Sequence, residues 1–150
     1  MEIIFKMMYN SNVVERGCIM AVDNVKIEWS NDFSGTLESP SGKIKVGGED
    51  GEMKPYHLLF GALGACFYST FVEVAKKKRL TFDGATLEIS GMKREEIPKT
   101  LSHVVMKLVI KNASNEAQFM RCVDYGIQFC SVHSTISKVA EIKTDVEFIF

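Results

Sequence analysis

Pro55-Tyr-His-Leu-Leu-Phe-Gly-Ala-Leu-Gly-Ala-Cys66-Phe-Tyr-Ser-Thr-Phe-Val-Glu-Val-Ala-Lys-Lys-Lys-Arg79 is the stretch on which the reading of this chain turns. Pro55 suits a first helical position, where a missing N–H removes no helical hydrogen bond. The basic run Lys76 to Arg79 suits a helix C-terminus, where positive charge is favoured. Between them, Leu58 to Val72 is apolar or small on every face, interrupted only by Ser69, Thr70 and the Tyr68 hydroxyl. A helix apolar all round is expected to be buried all round. The run is shorter than the roughly 18–20 residues of a bilayer span, so a core helix is expected rather than a membrane crossing. Gly61, Ala62, Gly64 and Ala65 would let another backbone approach closely. Glycine costs about 1 kcal/mol against alanine inside a helix, so two of them point to a packing requirement. One thiol, Cys66, sits in this helix.

Working outward, 150 residues fit a single domain, 1–150, able to bury a core. A formal net charge of −1 gives no electrostatic footprint for nucleic acid. Lys76–Arg79 is the one basic cluster and reads as a solvated helix end. The opening Met1-Glu-Ile-Ile-Phe-Lys-Met-Met-Tyr9 has too short an apolar run for a signal peptide, so a cytoplasmic protein is expected. In a reducing compartment four cysteines are not a disulfide framework. Each is a buried thiol, a metal ligand or a redox group.

The patterning predicts a first strand over Ile3–Tyr9. Cys18–Val22 and Val25–Ser30 read as a hairpin about Asp23-Asn24. Ser34–Glu38 and Lys43–Val46 flank the turn Ser39-Pro-Ser-Gly42. After the helix come strands over Ala85–Met92 and Leu101–Lys111. Val104, Met106, Leu108 and Ile110 line one face of the second. Asn112–Asn115 offers caps for a helix carrying Phe119, Met120, Val123, Ile127 and Cys130 at helical spacing. A short helical turn over Ser134–Ala140, capped by Ser134 or Thr135, and a strand over Glu141–Phe150 complete the chain. Strands in runs rather than strict alternation with helices argue α+β.

Cys66 lies mid-helix and Cys130 ends the next helix, in Phe129-Cys-Ser-Val-His133. If those helices pack side by side, both thiols meet. Cys122 and Cys130 are eight residues, roughly 12 Å, apart on one helix and cannot pair. Cys18 reads as a small core residue. Buried cysteine is commonly a small hydrophobe, and apolar surroundings raise a thiol's pKa. A nucleophilic Cys66 therefore calls for a nearby cation, with Arg16, Arg94, His133 and, more distantly, His57 as candidates. A zinc site from Cys130, His133 and Cys66, or a Cys–His hydrolase, has the residue types without a close-spaced ligand pair or a nucleophile signature.

Pro55-Tyr-His-Leu-Leu-Phe-Gly-Ala-Leu-Gly-Ala-Cys66-Phe resembles the first-cysteine helix of the OsmC/Ohr family, the osmotically inducible and organic hydroperoxide resistance proteins. Phe129-Cys-Ser-Val-His133 is similar to that family's second-cysteine segment, with Ser131 standing where the family commonly has proline. Lys93-Arg-Glu-Glu-Ile-Pro98 with Leu101-Ser-His-Val-Val-Met-Lys-Leu108 resembles the hairpin of an OsmC-like branch, and Val25–Lys45 resembles its opening hairpins. The resemblance leaves 1–24 as an N-terminal extension. It implies antiparallel sheets wrapped around two long central helices in an intertwined homodimer, with active sites at the subunit interface. It further implies a thiol peroxidase acting on organic hydroperoxides, with Cys66 peroxidatic, Cys130 resolving and a dithiol reductant. No metal, flavin, haem or other cofactor is implied. Leu59, Leu63, Phe67 and Phe129 are expected to line an apolar pocket. The family's characterised peroxidases carry a glutamate ten residues before the first cysteine, where this chain has Tyr56. They also carry a thiolate-pairing arginine, a role for which Arg16, or Arg94 with Glu95, is the candidate. A non-catalytic protein of this fold binding an apolar ligand, and a redox sensor, are the competing expectations.

Overall fold

The computed structural model describes residues 22–150. The expected strand Ile3–Tyr9, the arginine Arg16 and the thiol Cys18 fall outside the described residues. The chain divides into two compact units, meeting in sequence at Met53 and Lys54.

The described part of the first unit is a three-stranded antiparallel meander of β1 (Lys26–Trp29), β2 (Ser34–Ser39) and β3 (Gly42–Gly47). The turn Ser39-Pro-Ser-Gly42 joins β2 to β3 as its composition predicts. β1 pairs with β2 and Val22 to Val25 carry no strand, while the expected strand Cys18–Val22 lies, but for Val22, outside the described residues. The Gly35 backbone lies under the Trp29 ring, where a Cβ would sit 2.7 Å from the indole. Ile27 and Trp29 alternate as a half-buried strand would, yet both are exposed. Trp29 stacks on Phe33 at 5.6 Å between ring centroids.

The second unit is built on α1 (Pro55–Lys77), the helix the sequence marks. Pro55 is its first residue, and the ring Nδ1 of His57 accepts the Lys54 N–H at 3.2 Å. His57 is thus part of the helix cap. The C-terminus is closed by Arg79 at φ 57° and by Leu80 N–H donating to the Ala75 carbonyl at 3.0 Å. β4 (Gly84–Lys93) and β5 (Leu101–Lys111) form an antiparallel hairpin. α2 (Glu116–Phe129) follows, capped by the Asn115 side chain accepting from Gln118 N–H at 3.0 Å. α3 (Ser131–Ser137) and β6 (Glu141–Ile149) end the unit.

The fold is α+β, with two three-stranded sheets and a long central helix. One expectation is corrected: the second sheet, ordered β4-β5-β6, is mixed rather than antiparallel, because β5 and β6 run parallel. A parallel pair needs a long crossover, and α2 with α3 supplies it. A second correction concerns α1. By length and composition it would pass for a membrane span, but it packs as a core helix along one stripe. Leu63, Phe67, Phe71 and Ala75, four residues apart, are fully buried. They join Val104, Met106, Leu108 and Ile110 of β5 and Phe119, Cys122 and Val123 of α2 in one core. The opposite side, with Gly61, Ala62 and Ala65, is exposed. Burial all round is therefore not reached among the described residues, because the second sheet and the two shorter helices lie against one side.

The small residues divide accordingly. Gly64 faces β4, where a Cβ would stand 3.3 Å from Ile89. Gly61 faces open space. The tightest helix crossing is set from the other partner: a Cβ on Gly126 of α2 would lie 2.8 Å from the Phe67 ring.

Candidate active site

Cys66 lies on α1 one turn beyond Leu63, at the edge of the buried stripe, and is partly exposed. Its carbonyl accepts the Ser69 hydroxyl at 2.9 Å, a bond from one turn further along. Cys130 is reached differently. It is the single residue between α2 and α3, in extended conformation at φ −76° and ψ 111°. There it ends one helix, with its N–H donating to the Gly126 carbonyl at 3.1 Å. It also caps the next, its sulfur accepting the His133 N–H at 3.3 Å. The cap of α3 is therefore Cys130, and the helix starts at Ser131, three residues earlier than Ser134. A thiol in the N-cap position does the work expected of a hydroxyl, because sulfur also accepts hydrogen bonds, if weakly.

The break between α2 and α3 turns the chain back towards α1 and brings Cys130 and Ser131 to Cys66. All three described cysteines are free thiols. Burial pushes the Cys66 thiol up, but hydrogen bonds to its sulfur from the Cys130 thiol, the Val132 N–H and the Ser131 hydroxyl and N–H outweigh it. The net displacement is below the ordinary thiol value. The Ser131 Oγ stands 3.8 Å from the Cys66 Sγ. Cys130 moves the opposite way, pushed up to about 11 by burial and by its interaction with Cys66. The two thiols thus have opposed proton affinities, with Cys66 displaced downward and Cys130 displaced upward.

Arg94 and Glu95 lie on the loop between β4 and β5. The Arg94 guanidinium bonds the Leu101 carbonyl and donates to Thr100 Oγ1 at 3.2 Å and the Val139 carbonyl at 3.0 Å. It fastens the β4–β5 loop to the chain just past α3, eight residues from Ser131. Glu95 is exposed on that loop. The His133 ring is half-buried, and burial holds its pKa below the usual imidazole value, which favours the neutral form. Among the described residues, no three His, Cys, Asp or Glu side chains gather as a metal site would need, so Cys66, Cys130 and His133 do not form a ligand set.

The expected pocket is also rearranged. Leu63 and Phe67 are inside the core, and Phe129 is 63% exposed, stacked on Tyr125. Leu59 instead lines a cavity of about 250 Å³ with Tyr56, Leu101, Thr135, Ile136 and Val139, along the seam of α1 and α3. Tyr56, at the head of α1, carries the Lys93 ammonium 4.1 Å from its ring centroid. A larger groove of about 480 Å³ runs between α1 and β4, bounded by Phe60, Gly61, Gly64, Tyr68 and Leu87. What sequence reasoning missed is Ser131. Its signal was its position directly after Cys130, where a side chain at the start of a helix is held in place.

The comparisons with known proteins agree with this architecture. The family described as OsmC-like protein matches residues 47–145. No curated protein sequence matches the chain. Among solved structures, a hypothetical protein from Aquifex aeolicus VF5 is similar at 25% identity and a TM-score of 0.78, covering 86% of this chain and 97% of that one. An OsmC-like protein from Mycoplasma pneumoniae is similar at 18% identity and a TM-score of 0.78, covering 88% and 100%. The organic hydroperoxide resistance protein OhrB of Bacillus subtilis shares the fold at 17% identity and a TM-score of 0.62, covering 86% and 100%.

Proposed function

The chain belongs to the OsmC-like family, and from that premise we propose that it is a cytoplasmic thiol-dependent peroxidase that reduces organic hydroperoxides, with Cys66 as nucleophile and Cys130 as resolving thiol. The observation that carries this reading is the contact of two free thiols with opposed proton affinities. Cys66 as thiolate attacks the outer oxygen of the hydroperoxide. An S–O bond forms and the O–O bond breaks. The alkoxide takes a proton and leaves as alcohol, and Cys66 is left as sulfenic acid. Cys130 then displaces the hydroxyl: an S–S bond forms, the S–O bond breaks, and water leaves with the Cys130 proton. Formation of the sulfenic acid removes the charge on Cys66, one of the causes that hold the Cys130 proton in place, so the second step is eased by the first. A dithiol reductant restores both thiols by exchange and becomes a disulfide itself. A second copy of the chain would cover the exposed small-residue side of α1, and we expect a homodimer.

A non-catalytic reading is favoured by one observation, the commitment of Arg94 to backbone carbonyls with Tyr56 at the helix head. Turnover separates the two. With cumene hydroperoxide and dithiothreitol, the wild type is expected to consume peroxide catalytically, and Cys66→Ser to lose more than about a hundredfold in rate. Cys130→Ser is expected to form sulfenic acid once without forming the internal disulfide. Equal rates in all three proteins would refute the peroxidase reading. Stoichiometric oxidation of Cys66 without turnover would mark a sensor.

A further inference from the structure

The approach of Ser131 to Cys66 has a chemical consequence. Ser131 is the first residue of α3, and its backbone is fixed on both sides: the Cys130 sulfur accepts the His133 N–H, and the Ser131 carbonyl accepts the Thr135 hydroxyl at 2.9 Å. Its hydroxyl therefore meets α1 from a held position, 3.8 Å from the Cys66 sulfur. When Cys66 is a thiol, either group can donate. When Cys66 is a thiolate, only the hydroxyl can, because the sulfur has no proton left.

We propose that Ser131 is a positioning residue for Cys66, its hydroxyl donating to the thiolate so as to hold that sulfur ionised and in place. The inference rests on the reading of Cys66 as nucleophile and names the side chain that supports it. Hydrogen bonds to ionised groups are stronger than those between neutral partners, so the contact favours thiolate over thiol. The N–H groups of Ser131 and Val132 act on the same sulfur in the same sense. Cys130 is the titratable group bearing on Cys66 from the α2–α3 junction, and from α3 the neutral His133 ring adds no charge. Ser131 is exposed, so water competes for its hydroxyl and the effect is moderate.

The test is the rate of Cys66 alkylation by iodoacetamide in the full chain, followed by peptide mass between about pH 6 and 9.5, a range that spans ordinary thiol ionisation. Melting curves confirm that each variant is folded. Ser131→Thr keeps the hydroxyl and is expected to match the wild-type profile. Ser131→Ala is expected to move the profile to higher pH and slow alkylation at neutral pH roughly three- to tenfold. An alanine profile that overlays the wild type, or a threonine variant as slow as alanine, would overturn the proposal. Alkylation needs no peroxide, so a Ser131 effect in a protein without hydroperoxide turnover would leave this inference standing and remove the peroxidase reading alone.

Discussion

Cys122 and Cys130 are eight residues apart, both fully buried, and both displaced upward by burial. They nonetheless belong to different kinds of place. Cys122 lies within α2, packed in the core beside Phe119 and Val123, with the surrounding backbone donors engaged in the helix. Cys130 lies at the break after α2, where two helices end and begin and where N–H groups are not used up by helical bonds. The difference teaches that burial does not separate a thiol packed in the core from one set beside a second thiol. What separates them is the interruption of the helix, which exposes backbone donors beside Cys66 and delivers the Ser131 hydroxyl with them.

The largest expected effect sharpens that contrast. With Cys130 pushed up to about 11 and Cys66 displaced below the ordinary thiol value, Cys66 carries the larger thiolate fraction at neutral pH. Alkylation of the wild type at pH 7.5, resolved by peptide, should label Cys66 first and leave Cys122 unlabelled until the protein unfolds. Equal labelling of Cys66 and Cys122 would erase the distinction. The rate at Cys66 should rise with pH and level off once its thiolate is complete, below the pH at which an ordinary thiol does.

A smaller effect concerns the crossing that holds α2 against α1. Gly126→Ala would place a Cβ 2.8 Å from the Phe67 ring, and such overpacking costs about 1–3 kcal/mol. A lowered melting temperature together with slower Cys66 alkylation is expected, because α2 carries Cys130 and Ser131 towards α1. Smallest of all, Cys122→Ala should cost about 1 kcal/mol in stability through loss of a buried sulfur and leave Cys66 labelling unchanged. A change in Cys66 reactivity on that substitution would mean that Cys122 is not merely packing.

Much of this was legible in the sequence. Pro55 and the basic run bounded α1 to within two residues, the alternation Val104, Met106, Leu108, Ile110 gave the buried face of β5, and Asn115 marked the start of α2. The sequence brings Cys66 and Cys130 together only if their helices pack side by side, and in the structure each bears on the other's proton affinity. Other features were not encoded in a readable form. The parallel pairing of β6 is invisible because a period of two says which face a residue takes, not which way its neighbour runs. In a helix apolar on every side, periodicity cannot say which stripe is buried, so Leu63 and Phe67 are as eligible for a pocket lining as for the core they fill. Cysteine lies outside the usual cap residues, so the sequence points to Ser134 or Thr135 as the cap of α3 where the structure has Cys130. The charge of Arg94 is legible in the sequence, whereas the acceptors that its guanidinium bonds, Thr100 and the Val139 carbonyl, are not.

The most direct test of the central claim is the identity of the bond formed when the protein meets one equivalent of cumene hydroperoxide. Digestion without reduction, followed by mass analysis, should recover a peptide joining Cys66 to Cys130, with Cys122 still a free thiol. Recovery of Cys66 as an unmodified thiol, or of oxidation spread evenly over Cys66 and Cys122, would contradict the account.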